Sequence, residues 1–386
     1  MTLKHLTHKL SQFLVVMFIL IAPTQLLANE IKERDDDGAP VPGIEAVLLI
    51  EYQSDHVLSG DNNIDGSQTY STHELDAAIH FSQLLSLYGT LSYQPVRGFL
   101  KDFDANLLND DQFGEDQGIA LEELFLELEV QNVSVFGGKF TANFGKAWDE
   151  TPGVYGTDFA EDYEIIESLG FGAEIEFANT GLGDLTFGVA GFKLDRTGLS
   201  RALLQSTEGN RPADGGAGNT SGIESYVVSF DAENIIQNNV LNAHAAYMNR
   251  ERGVGPNDFE DEEAFVVTLY GAREFYGLNI EWIGEAAFFD NYNATEDDIN
   301  YYTFGLDFEF YERYKFAISY THRDVDNPWD GSHEDRLFQT SIGAEVYRGW
   351  EADIGYRYTQ TTEDEDDAHF LGILISKEIQ YKQGAN

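Results

Sequence analysis

The sequence contains no cysteine and only eight prolines. No disulfide can staple the fold, and no thiol is present to carry a lipid, so stability rests on non-covalent closure. Positive charge is also scarce, with 23 Lys and Arg against 68 Asp and Glu and a formal net charge of -45. A chain this acidic repels phosphodiester backbones, which sets nucleic acid aside as a partner. Long apolar runs are missing as well. The longest, at 13–22, is about half of the roughly 20 residues that a membrane-spanning helix needs. Beyond the N-terminal region no Pro, Ser or Gly-rich linker divides the chain, which predicts one continuous domain.

What is present begins with an export signal. Lys4 and Lys9 precede the apolar run, and the segment closes Leu26-Leu27-Ala28, so residues 1–28 read as a cleaved secretory signal peptide. A short segment, 29–43, is expected to precede a folded body at 44–381 and a tail at 382–386. With 42% hydrophobic and 13% aromatic residues, the body has enough apolar surface to fold despite its charge.

From Ile44 onwards the hydrophobic period is two. Tyr302, Phe304, Leu306, Phe308 and Phe310 alternate with Thr303, Gly305, Asp307 and Glu309, a strand with one apolar and one aqueous face. The same alternation predicts strands near 44–55, 72–84, 85–96, 119–131, 133–145, 166–178, 182–196, 223–234, 240–252, 262–275, 276–293, 299–311, 314–326, 334–347, 350–364 and 368–381. The total, about sixteen, is even, as single-chain bacterial barrels require. Connections alternate in length. Tight turns such as Asn132, Glu312-Arg313 and Arg348-Gly349 contrast with longer polar stretches at 56–71, 97–118, 146–165, 197–222 and 253–261, the pattern of periplasmic hairpins and extracellular loops. A soluble β-sandwich or a solenoid also alternates. Strands near 12 residues exceed the usual 5 to 6 of globular sheets, and Tyr52, Tyr93, Tyr270, Trp282, Tyr320, Trp350 and Tyr381 sit near segment ends, as membrane-interface girdles do. The expected fold is all-β: a transmembrane, antiparallel, up-and-down barrel.

A closed sheet of about sixteen strands encloses more space than side chains fill, so a water-filled channel is expected. The inward set is acidic: Glu45, Glu51, Asp76, Glu123, Glu127, Glu129, Glu174, Glu176, Glu281, Glu285, Asp307, Glu309, Glu345, Glu351 and Asp353, against the bases Lys139, Arg273, Lys315 and Arg357. Carboxylate rings favour cations, although acids also serve simply to keep a lumen wet. The loop at 146–165 mixes Trp148, Tyr155, Phe159 and Tyr163 with Asp149, Glu150, Asp158, Glu161, Asp162 and Glu164. Such a loop either packs on the inner wall and offers carboxylates to the path, or caps the mouth from outside. The candidate lining and constriction residues are Lys139, Asp149, Glu150, Asp158, Glu161, Asp162, Glu174, Glu176, Glu281, Glu285, Asp307, Glu309 and Arg357.

Catalytic readings find little support. The histidines His56, His73, His80, His244, His322, His333 and His369 are scattered, His322-Arg323-Asp324 is the nearest approach to a catalytic constellation, and neither G-x-S-x-G nor H-E-x-x-H occurs. No cofactor is called for. Acid clusters at 109–116, 258–263 and 363–367 lack the ordered spacing of a calcium loop, so only weak cation exchange, bridging to lipopolysaccharide phosphates, is expected there. The 15 residues at 29–43 are too few for the globular plug of an energy-coupled receptor, whereas plugless uptake of one ligand stays open.

The stretch Val135-Phe-Gly-Gly-Lys-Phe-Thr-Ala-Asn-Phe-Gly145 resembles bacterial porins whose central hairpin carries G-K-F-x-x-x-F-G before the following loop. Phosphate-selective porins and plugless siderophore porins of the legiobactin-receptor type share similar wording. The resemblance implies an outer-membrane channel for small hydrophilic solutes, often a homotrimer, whose third external loop folds inward and sets the constriction. The chain departs from common barrels in ending Tyr381-Lys-Gln-Gly-Ala-Asn386 without a terminal Phe. It departs from an anion path in lacking rings of Lys or Arg.

Overall fold

The structure, a computed structural model, describes residues 42–60, 66–95, 117–204, 210–329, 331–361 and 366–384. The signal peptide expected at 1–28 and the acid cluster at 109–116 lie outside these residues. Among the described residues sixteen strands form. The first eight are β1 (Gly43–Gly60), β2 (Ser67–His80), β3 (Leu85–Pro95), β4 (Gln117–Val130), β5 (Val133–Phe140), β6 (Ser168–Thr180), β7 (Gly183–Leu194) and β8 (Ser225–Ile236). The second eight are β9 (Leu241–Arg250), β10 (Glu262–Phe275), β11 (Leu278–Asp290), β12 (Asp298–Phe310), β13 (Tyr314–Asn327), β14 (Gly331–Tyr347), β15 (Trp350–Thr361) and β16 (Asp366–Gly384).

Every strand pairs antiparallel with its sequence neighbours, and β1 pairs with β16 from Gly43↔Gly384 to Gly60↔Ala368, so the sheet closes on itself. Closure leaves no strand edge along that seam. Tight turns follow the even strands. Tyr276-Gly277 and Arg348-Gly349 hold both central residues at positive φ, the backbone twist that two-residue hairpins require.

Sidedness is the reverse of a water-soluble protein. Leu126, Val130, Phe171, Val189, Ile342, Ile354 and Ile375 are exposed on the outside, whereas Glu45, Asp76, Glu127, Thr268, Thr321, Asp335, Gln339 and Arg357 are buried within. Only an apolar solvent outside and a polar, hydrogen-bonded interior make that arrangement stable.

Four sequence expectations need correction. β5 ends at Phe140 rather than 145, because Thr141 onwards turns into the lumen. β16 runs through Gly384, and Lys382 pairs with Glu45 at 2.5 Å, so 382–384 is strand rather than tail. Arg273 stands opposite Ile280 on the outward register and is exposed, so it is not an inward base. In β4 a bulge places both Glu122 and Glu123 between the outward Leu121 and Leu124, which turns both toward the interior.

Candidate functional site

The long connection between β5 and β6 lies inside the barrel. Its short helical turn α1 (Ala147–Glu150) and a 3-10 turn at Ala160–Tyr163 carry Phe144, Ala147, Ala160, Tyr163 and Ile165 against an apolar strip of the inner wall: Ala246, Met248, Ala264, Val266, Ala287, Phe289 and Tyr301. The aromatic residues that suggested two placements thus face the wall, and burying them is what holds the loop in.

The base of the loop hangs on Glu285 of β11. Its carboxylate accepts the backbone N–H of Lys146 at 2.7 Å and of Ala147 at 3.2 Å, the Tyr163 hydroxyl at 2.5 Å and the Thr268 hydroxyl. Beside it, Asp231 of β8 binds His244 at 2.8 Å, Asn143 at 3.1 Å and the Lys146 ammonium at 3.6 Å. Burial opposes the Lys146 charge, but Asp231, Glu150, Glu233 and Asp149 outweigh it and raise its pKa. At the entry, Glu123 accepts the Thr141 N–H at 2.7 Å.

The tip crosses to the far wall. Pro152, Val154 and Tyr155 press on Gly305, Gly355 and Gly372, where any Cβ would overlap them. Glycine is required there by close approach. The Tyr155 hydroxyl donates to Asp55, and Gln339 donates to the Pro152 carbonyl at 2.9 Å. Arg357 pairs with Asp158 and stacks on Tyr155 and Phe370. Arg323 binds both Asp162 and Asp335 at 2.7 Å and covers the Phe159 ring.

The predicted residues therefore divide. Asp158, Asp162, Glu285 and Arg357 join loop to wall. Lys139, expected as an inward base, stands opposite Leu124 on the outward register, is 1% exposed and is paired with Glu167 at 3.1 Å and Asp195 at 3.6 Å, so it lines no water path. Glu174 and Glu176 lie on β6, while Glu281, Asp307 and Glu309 face one another across β11 and β12, near the short turns. Glu161 accepts from Thr157 at 2.6 Å.

Asp149 opens to lumen water although protein surrounds it on most sides. Its enclosed position raises the carboxyl to about 7, with Glu161 and Asp76 adding to the rise and Lys146 opposing it. Burial holds Glu150 well above the usual carboxylate range, and Asp149 and Glu285 reinforce it. Glu74 and Asp76 of β2 and Glu122 of β4 stand close enough to act electrostatically on one another, and Glu74 and Asp76 also on Asp149. Sequence reading missed Glu74 and Glu122. The signal for Glu122 was the spacing of three between Leu121 and Leu124, where its neighbours keep two.

The wall separates the nearest catalytic constellation. His322 stacks on Tyr302 on the outward register, whereas Arg323 reaches Asp162 in the lumen. In the cluster at 258–263, Asp258 accepts the N–H of Gly216 at 2.8 Å, and Glu262 pairs with Arg250 at 2.7 Å. Among the described residues no three His, Asp or Glu converge to hold a metal ion.

No family model matches the sequence, and no curated protein matches it. Solved structures do match. OprB of Pseudomonas putida aligns with a TM-score of 0.63 and 11% identity over 91% of this chain and 97% of its own. The outer membrane channel DcaP of Acinetobacter baumannii aligns with a TM-score of 0.56 and 9% identity over 87% and 97%. OccK5 (OpdH) of Pseudomonas aeruginosa aligns with a TM-score of 0.51 and 10% identity over 89% and 100%. At these identities the likeness is one of fold. A closed barrel of sixteen strands with an apolar outside and a polar inside is a membrane-spanning structure, and this chain has the fold of Gram-negative outer-membrane porins.

Proposed function

We propose that the protein is an outer-membrane porin, a water-filled channel for passive diffusion of small hydrophilic solutes that prefers cations. The observation that carries this reading is the loop folded within the lumen, which leaves Asp149 facing water there. A narrowed path keeps solutes within the roughly 8 to 10 Å over which salt fails to screen a fixed charge. Asp149, Glu150 and Glu161 line the narrow part in this reading, and Glu174, Glu176, Glu281, Asp307 and Glu309 line the wider part toward the periplasm. Asp158, Asp162, Glu285, Arg357 and Lys139 act from behind by fixing loop and wall. Lipid and lipopolysaccharide surround the barrel, and assembly as a homotrimer belongs to the same proposal.

Planar-bilayer recordings in a salt gradient test it. The reversal potential is expected to have the sign of cation flow. Anion preference would reject the selectivity, and absence of conductance would reject the channel. Conductance that one ligand blocks saturably would replace open diffusion by the second reading, plugless uptake of a specific ligand.

A further inference from the structure

Where β5 turns inward at Phe140, its neighbour β4 continues upward to Gln117, so the upper edge of β4 has lost its strand partner on that side. An unpaired edge at membrane depth is strongly disfavoured, because hydrocarbon offers no hydrogen bonds. Chain from the connection after β7 takes the vacated place. Ile119 and Leu203 form an antiparallel bridge, with the Leu203 N–H donating to the Ile119 carbonyl at 2.7 Å and the Ile119 N–H to the Leu203 carbonyl at 3.0 Å. Lys139, held by Glu167 and Asp195, donates to the Leu199 carbonyl at 3.2 Å and ties the segment down from beneath.

Paired residues of a ladder project to the same face. Ile119 stands opposite Tyr93, which stands opposite His73 and, through it, Ile50, all on the outward register. Leu203 therefore points away from the lumen and is 67% exposed, and Leu204 and Leu199 beside it are 77% and 45% exposed. These leucines continue the apolar belt formed by Leu121, Leu124 and Leu126. We infer that residues 198–204 form a lipid-facing patch of the barrel wall rather than a free external loop, with Leu199, Leu203 and Leu204 among the acyl chains of the outer leaflet. Continuity with the belt identifies the occupant as lipid. The inference rests on the barrel standing in a membrane and is independent of what the channel carries.

The absence of cysteine makes the test direct. Leu203→Cys and Leu204→Cys, each labelled with an environment-sensitive fluorophore in the full barrel reconstituted into phospholipid vesicles, are compared with Val254→Cys, an equally exposed apolar site in the connection after β9. All three positions are exposed, so the labels leave the packed interior untouched. The expected result is a blue-shifted emission at 203 and 204 that nitroxide-bearing lipid quenches and aqueous iodide does not, with the opposite behaviour at 254. Iodide quenching at 203 and 204 equal to that at 254 would overturn the inference. So would protection from both quenchers together with cross-linking between copies through Leu203→Cys, which would assign the patch to a second copy of the chain.

Discussion

Arg357 on β15 donates to Asp158 on the infolded loop, joining residues 199 positions apart in sequence. Arg357 is 4% exposed, and its guanidinium is also covered by the rings of Tyr155 and Phe370, so the pair is shielded from competing water. It acts with Arg323 and Asp162 as one of two clamps that hold the far end of the loop to the wall.

Removing one partner of such a clamp leaves a buried charge uncompensated, at a cost of about 3 to 5 kcal/mol. Arg357→Gln is expected to release the tip, and Asp158→Asn to do so less completely because the ring stacking survives. The measurement is single-channel current noise, which rises in both variants and most in Arg357→Gln. Quiet currents of unchanged amplitude in both would show that the clamp does not govern the opening.

Glu285 satisfies four donors at the base of the loop. Its replacement by Ala leaves those groups without an acceptor, at about 1 to 3 kcal/mol for each that water cannot reach. Limited proteolysis of Glu285→Ala in detergent should cut within 146–165 at a rate well above wild type, with the barrel itself intact. Equal resistance of the two proteins would mean that apolar packing alone holds the loop.

Asp149 supplies the pH dependence. Its carboxyl titrates at about 7, raised chiefly by its enclosed position. The group is therefore charged above that pH and neutral below it, and neutralisation removes a negative charge from the path. Cation preference is expected to fall as pH drops from about 8 to about 6, a window set by one unit on either side of the midpoint. Asp149→Asn should show the low preference at both ends and lose the step. A step that persists in the variant would place the titrating group elsewhere.

Gly372 lies under the Tyr155 hydroxyl, where an added Cβ would overlap it. Gly372→Ala should push Tyr155 off Asp55 and shift the tip away from the wall, narrowing the remaining path. Reduced conductance with unchanged barrel assembly is the expected outcome. Wild-type conductance would mean that the tip yields without moving the constriction.

Much of the wall was legible in the sequence. Tyr302 to Phe310 alternates so regularly that β12 and its outward face follow from a sheet whose side chains project to opposite sides. The turns at Glu312-Arg313 and Arg348-Gly349 are equally plain. The end of β5 was not legible. Phe140, Ala142 and Phe144 keep the period of two, yet Ala142 and Phe144 bury inside the barrel, because alternation reports an apolar face without saying whether lipid or another wall meets it. Lys139 misled for a related reason. A charged residue within a strand suggests the wet face, yet Lys139 stands opposite Leu124 and Leu169 on the outward register, in step with Val133 and Val135, and Glu167 and Asp195 converge on it there.

The sequence by itself determined a strand count of about sixteen, the strand order, the two faces of most strands and the acidic character of the interior, since these depend on side-chain period and turn chemistry, which act between near neighbours in the chain. Tertiary structure alone decided which acids remain open to water and which serve as acceptors for the loop. Glu285 and Asp149 are both candidate lining carboxylates, but one is buried beneath the backbone N–H groups of Lys146 and Ala147 and the other is left facing the lumen. That difference arises only when the segment after β5 crosses the barrel and chooses partners on distant strands, Glu285 lying 139 residues from Lys146.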